Sequence, residues 1–458
     1  MSQRSQSVAV IGAGWAGCAA AVTLAGQGHR VTVFEAARVA GGRARRVSQH
    51  GLALDNGQHI LLGAYRESLR LMKTVGIDPA QSLLRLPLQM RYPPGTGGMD
   101  FIAPKLPAPL HVLWALLRAQ GLGRADKLAL ARFSSTARWM DWQLDQDCSV
   151  TVLLERFEQT DKLIQLLWRP LCIAALNTPP ERASARIFLH VLRDSLGAQR
   201  AASDMLLPRS DLSALFPDAA ARYVEAHGGN LLYGQHIHSL SHRQIDGQKK
   251  WLVHSADSVA EFDCVIIATP PWIAAGLLKE HDASLGAMSF DYEPITTCYL
   301  RYAESVSLPL AFYALRDVPA EQCWGQFVFD RGHLLADQAG VLAVVISASA
   351  AATEEGHTAL GKAVATQLAN AFLRPELNQP QWFSVITEKR ATFACTPDLQ
   401  RPASATACAG LFLAGDYTQS DYPATIESAV RSGVTAAGLV AAQSAGTAKK
   451  YRSATRFF

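Results

Sequence analysis

The chain has 458 residues, 49% of them apolar and 18% charged, with a formal net charge of +4. That length holds two domains with sizeable cores, the charge is too mild to suggest a nucleic-acid partner, and the composition suits a large interior or an apolar channel better than a solvated scaffold. Eight cysteines, at 18, 148, 172, 264, 298, 323, 395 and 408, form no CxxC pair, so neither a zinc site nor a disulfide framework is expected and a reducing compartment is.

The polar stretch 2–7 contains no apolar signal core. The first apolar run, Val8-Ala9-Val10-Ile11, reads as a strand and leads into Gly12-Ala13-Gly14-Trp15-Ala16-Gly17. A helix is predicted over Trp15–Gly26, then a second strand that ends in Glu35. Gly12 permits a tight turn, Gly14 lets backbone approach a pyrophosphate, and Gly17 lets the helix sit close on the strand. The first amides of the helix, from Trp15 and Ala16, then face the phosphates, and Glu35 accepts from ribose hydroxyls. A glycine triplet by itself is only a loop in an alanine-rich helix, but here strand, turn, helix, strand and acid stand in register, which is the pattern of a dinucleotide site.

Gly41-Gly42-Arg43, with Arg45 behind it, is either a basic surface turn or a second loop that brings backbone and permanent cations to the same pyrophosphate. Asp55-Asn56-Gly57-Gln58-His59 follows. Residues 104–133 combine leucines and Trp114 with Arg118, Arg124 and Lys127, which fits either a buried helical hairpin or a helix pair lying on a bilayer. Helical spacing recurs over 124–144, 151–175 and 184–196. An apolar strand over 263–268 is stopped at Thr269-Pro270-Pro271, and strand-like runs lie at 296–301, 323–329 and 341–347. Near the carboxyl end Leu411-Phe412-Leu413-Ala414 leads to Gly415-Asp416, a loop through Tyr422-Pro423, and a helix of small residues opening at Ala424-Thr425-Ile426. The basic tail 446–458 is either a frayed terminus or a contact for anionic lipid. No apolar window reaches the roughly 18 residues of a spanning helix.

Gly41-Gly42-Arg43, the strand ending Ala268-Thr269-Pro270 and the Gly415-Asp416 segment together make the chain similar to the FAD-binding superfamily of amine oxidases and phytoene-type desaturases. Asp55 to Tyr65 and the 415–425 stretch resemble its squalene-associated branch, the hydroxysqualene dehydroxylases of hopanoid biosynthesis. The resemblance implies an α/β fold: a Rossmann-like FAD-binding domain assembled from 1–75, 205–275 and 380–445, with a mixed α+β substrate domain from 76–204 and 276–379. It implies that FAD is held by Gly12, Gly14, Trp15, Ala16, Gly17, Glu35, Gly41, Gly42, Arg43, Asn56, Gly57, Gln58, His59, Thr269, Gly415, Asp416, Ala424, Thr425 and Ile426. The implied reaction is reductive dehydroxylation of an apolar isoprenoid, hydroxysqualene to squalene, by a cytoplasmic enzyme with or without a peripheral seat on the membrane.

Replacing C–OH by C–H needs help for the departing hydroxyl, a hydride from reduced flavin, and a channel that keeps water from the reacting carbon. His59 is the first candidate for the proton donor, its other role being a hydrogen bond to cofactor or backbone. Asp55 and Arg390 are candidates for shaping the flavin environment. With one nucleotide fingerprint no dedicated nicotinamide domain is expected, so electrons are expected from an external donor or a visiting nicotinamide. Cys395 and Cys408 stand near the last FAD segment, where a buried thiol is commoner than a covalent flavin link. The alternatives are a carotenoid-type desaturase or isomerase, a flavin amine oxidase using Tyr417 and Tyr422 as aromatic walls, and a non-catalytic flavin protein.

Overall fold

A parallel sheet carries the amino-terminal motif. Its five strands run in the order Asn230–Tyr233, Arg30–Glu35, Ser7–Ile11, Cys264–Ile267 and Leu411–Leu413, every neighbouring pair parallel. The computed structural model describes residues 5–444 apart from 109, 198, 246 and 247, so the basic tail lies outside the described residues. The central strands are continuous apolar runs because both faces of the sheet are covered, which removes the alternation of a half-exposed strand.

Helix Trp15–Gly26 is apolar all round and meets helices Pro217–Ala226 and Ile426–Ser444. Its small residues let backbones touch: a Cβ on Gly433 of the last helix would stand 2.1 Å from the carbonyl oxygen of Ala16. A three-stranded antiparallel meander, Ile237–Ile245, Gln248–Ser255 and Val259–Phe262, leads directly into the Cys264–Ile267 strand.

The second large sheet is antiparallel, in the order Phe312–Ala314, Phe327–Asp330, Val341–Ser347, Tyr292–Arg301 and Trp382–Phe393. Alternation splits its residues between two cores. Cys298 and Leu300 join the cluster made with helix His357–Phe372, and Tyr299 between them joins the large core that extends through the helical region. The fold is therefore α/β, with a parallel nucleotide-type sheet beside a mixed helical and antiparallel body.

The helical region departs from its predicted spans at points with identifiable causes. The 124–144 helix stops at Trp139, where Asp141 and Trp142 take positive φ of 52° and 56°. The 151–175 helix breaks after Arg156: Glu158 turns to φ 49°, Thr160 caps a new start by accepting from the Leu163 amide at 3.3 Å, and a π-turn over Ile164–Trp168 precedes helix Arg169–Leu176. The 184–196 helix likewise runs as Ala185–Leu192 and ends in a π-turn over Arg193–Gly197. The 323–329 strand begins only at Phe327.

Candidate flavin site

The three glycines of the first turn serve different masters. Gly12 has φ +102°, and a Cβ there would lie 2.9 Å from the Ala268 carbonyl oxygen. A Cβ on Gly17 would lie 1.9 Å from the Gly12 carbonyl oxygen, so the contact of helix with strand requires that glycine. Gly14 is different: its φ is an ordinary −69°, and a Cβ would meet nothing nearer than the Gly42 Cα at 3.9 Å. Neither packing nor backbone geometry asks for glycine there. The space beside it is what close approach of a phosphate needs, and the first amides of helix Trp15–Gly26, which have no intrahelical partner, border it.

Gly41 and Gly42 close against the same turn. The Gly41 amide donates to the Ala13 carbonyl at 2.8 Å, so the two glycine loops form one surface. Trp15 is a structural peg: its ring is buried 5.1 Å from Phe216 and its Nε1 donates to the Ala44 carbonyl at 3.1 Å. Ala16 is buried behind it. Glu35 is clamped at the rim, accepting from the Ala13 amide at 2.7 Å and the Ala37 amide at 2.8 Å. A carboxylate so held keeps lone pairs for two further donors.

The distant segments arrive at the same place. Arg43 donates to Asp416 Oδ1 at 2.6 Å and to the Ala391 carbonyl at 2.6 Å, while Asn56 donates to the Arg43 carbonyl and to Glu388, each at 3.1 Å. Burial opposes the Arg43 charge, but the Asp416 carboxylate outweighs it and holds the guanidinium above its ordinary range. Arg45 turns back to the Gly42 carbonyl. Both cations expected at the pyrophosphate are thus engaged by protein groups. The Gly415 amide donates to Ser432 Oγ at 2.7 Å, fixing the turn before Asp416. Thr425 and Ser428 cap each other, amide to hydroxyl at 2.9 and 3.1 Å, and so begin helix Ile426–Ser444, with Ala424 and Ile426 half-buried on either side. Among the described residues two buried hydroxyls have no hydrogen-bond partner: Thr269 Oγ1, just past the Cys264–Ile267 strand, and Tyr417 Oη, beside Asp416. An unmet buried hydroxyl costs about 1–3 kcal/mol. Two orphaned hydroxyls at the ends of adjacent strands, with an open glycine cradle beside the same strand set, fit a bound group rich in acceptors.

His59 takes the second of its two sequence-expected roles. Its Nδ1 lies 2.7 Å from the Gly57 carbonyl, which can only accept, so the ring proton sits on Nδ1 and Nε2 is left as an acceptor. Burial pushes the imidazole below its ordinary range, against the raising effect of the Gly57 bond, and it is neutral near pH 7. Gln58 donates its amide to Thr297 Oγ1 at 3.3 Å and accepts from Arg331 through its side-chain oxygen.

Arg331 went unnoticed in the sequence. It is 1% exposed and also reaches Asp55 Oδ2 at 3.4 Å and Gln338, while its other terminal nitrogen has no partner. Asp55 Oδ1 accepts from the Leu212 amide at 2.8 Å, and burial pushes this carboxyl up to about 6 despite the guanidinium. The available signal was Asp330-Arg331-Gly332-His333, a charged break between apolar strands. Arg390 is exposed and lies 4.5 Å over the Trp272 ring and 5.6 Å over Tyr292. Tyr422 donates to Asp194 and has the Arg431 guanidinium 4.4 Å over its ring. Among the described residues no group of His, Cys, Asp or Glu is arranged to hold a metal ion, and all eight cysteines are free thiols.

Comparison with known proteins agrees with this geometry. Residues 15–441 match the family of flavin-containing amine oxidoreductases. Hydroxysqualene dehydroxylase of Rhodopseudomonas palustris is 31% identical over 96% of this chain and 99% of its own length. The Zymomonas mobilis protein of the same name is 28% identical over 95% and 99%. Cyclohexylamine oxidase of Brevibacterium oxydans superposes with a TM-score of 0.65 at 17% identity, covering 96% of this chain and 99% of its own, which speaks for the fold. The chain belongs to the flavin-containing amine oxidoreductase family and is an FAD-dependent oxidoreductase.

Proposed function

We propose that this enzyme removes the hydroxyl of hydroxysqualene, or of a closely similar long isoprenoid alcohol, and delivers squalene. The observation that carries the reading is similarity over nearly the whole chain to two hydroxysqualene dehydroxylases. A geometric point supports it against amine oxidation. Of the two tyrosines available as walls of an amine cage, Tyr422 already has Arg431 against its ring and Asp194 on its hydroxyl. A substrate ammonium would have to displace a cation of the protein.

In this reading Gly12, Gly14, Trp15, Ala16, Gly17, Gly41 and Gly42 would hold the adenosine and pyrophosphate, and Glu35 would hold the ribose. Arg43 and Asp416 join the distant segments, and Asn56, Gly57, Gln58, His59, Thr269, Gly415, Ala424, Thr425 and Ile426 would line the rest of the cofactor. When bound and reduced, FAD would supply the hydride; overall one alcohol takes up two electrons and two protons to give a C–H bond and one water. The residues position and exclude. Neutral His59, its Nδ1 proton committed to Gly57, serves as an acceptor and holds its loop in place. Binding of so apolar a chain rests on buried surface, at about 25 cal/mol per Å². The electrons come from an external donor to a cytoplasmic enzyme.

The test is anaerobic incubation of photoreduced holoenzyme with hydroxysqualene, read by mass spectrometry of the extract. Squalene formed in proportion to flavin reoxidised supports the reading. Flavin that stays reduced with hydroxysqualene, while oxidised enzyme is reduced by a carotenoid precursor or by a simple amine, overturns it.

A further inference from the structure

The helix Leu110–Arg118 has its apolar side outward. Leu110, Leu113, Trp114 and Leu117 are 51, 48, 44 and 58% exposed, and their spacing puts all four on one side of the helix. The inner side is held by buried His111, Ala115 and Leu116. Leu128, 65% exposed, lies on helix Arg124–Trp139 next to Lys127, whose ammonium donates to the Leu117 carbonyl at 2.7 Å. This arrangement inverts the usual surface helix.

Charge around the stripe has one sign. Residues 101–125 contain no carboxylate, and their charged side chains, Lys105, Arg118 and Arg124, are all exposed. The Arg118 guanidinium lies 5.0 Å over the Trp114 ring. The flanking acids are spent within the protein: Asp100 pairs with Arg91 at 2.8 Å, and buried Asp126 accepts from the Gly123 amide at 2.8 Å and Thr160 at 2.6 Å. A second copy on this face would set two cationic collars against each other. An anionic bilayer instead offers tails to the leucines, an interface to the indole and phosphates to the collar. Among the described residues no helix is long and apolar enough to cross a membrane, so the contact is a surface one.

We propose that the helix Leu110–Arg118, together with Leu128 of helix Arg124–Trp139, docks this enzyme on the surface of an anionic phospholipid bilayer. The inference extends the isoprenoid reading by naming the phase from which a water-insoluble substrate arrives, yet its test involves no turnover. Holoenzyme is floated with vesicles rich in phosphatidylglycerol and with pure phosphatidylcholine vesicles. The wild type is expected to float with the anionic vesicles, to be released by high salt, and to show a blue shift of tryptophan emission that Trp114→Phe reduces. Leu113→Glu combined with Leu117→Glu is expected to lower the bound fraction about tenfold with flavin absorbance and melting temperature unchanged. Should that variant fold poorly, Arg118→Gln with Arg124→Gln, which changes only exposed charges, is expected to lower binding to anionic vesicles alone.

Wild type that stays at the bottom of the gradient, or folded variants that float as well as wild type, would overturn the proposal. So would a dimer in detergent-free solution that the Leu113→Glu and Leu117→Glu changes dissociate, because the occupant would then be a second copy. Flotation with no squalene formed would sink the dehydroxylase reading and leave the docking surface standing.

Discussion

The turn at residues 12–17 and the helix at 110–118 both break the habits of a protein surface, in opposite ways. At Gly14 a side chain is missing where the structure has room for one, the nearest atom to a Cβ being 3.9 Å off. Along the helix, large apolar side chains stand where polar ones belong. The first anomaly is backbone laid bare for a polar ligand, and the second is hydrocarbon laid bare for an apolar phase. A residue that its own fold does not explain is the better guide to function, because folding requirements have already been subtracted.

The comparison sharpens within the turn itself. Gly17→Val should not give folded protein, because its Cβ would stand 1.9 Å from the backbone oxygen of Gly12; circular dichroism of the purified chain checks this. Arg331→Met should lower stability to urea by about 3–5 kcal/mol, since it leaves Asp55 buried without its cation. Adding Asp55→Asn should recover part of the loss. Glu35→Ala is expected to weaken FAD binding to the flavin-free protein by about tenfold, read by flavin titration, and to lower stability by about 1–3 kcal/mol because the buried Ala13 amide loses its acceptor.

The smallest effect is one of pH. The folded-state value of Asp55 is raised from its ordinary 3.8 to about 6, so the folded protein holds that proton the more tightly. The stability it contributes is complete below the lower value and is lost as pH rises through the upper one. Asp55→Asn should flatten this part of the urea-stability profile, and an unchanged slope between those pH values would assign it to other groups.

Local chemistry made the nucleotide half legible. Strand Ser7–Ile11, helix Trp15–Gly26 and the acid at 35 are read from apolar period, glycine placement and adjacency in the chain, and they fold as read. The α/β class and the flavin family follow from the same motifs. Long-range pairing hid much of the rest. Arg43 meets Asp416 across 373 positions, and Arg331 meets Gln58 across 273, with no periodicity to announce either bond. The breaks at Glu158 and Asp141 depend on single residues turning to positive φ inside stretches whose apolar spacing still looks helical. The outward stripe of the Leu110–Arg118 helix was visible as amphipathic spacing, but only the tertiary fold decides which side faces water.

The central claim, that FAD lies against the bare backbone at Gly14, is tested most directly by the ratio of flavin absorbance to protein in purified Gly14→Val, alongside the melting temperature of the same chain stripped of flavin. A Cβ with no neighbour inside 3.9 Å should leave the stripped protein melting as wild type does while the yellow colour falls at least about tenfold. Wild-type flavin content in that variant would contradict the account.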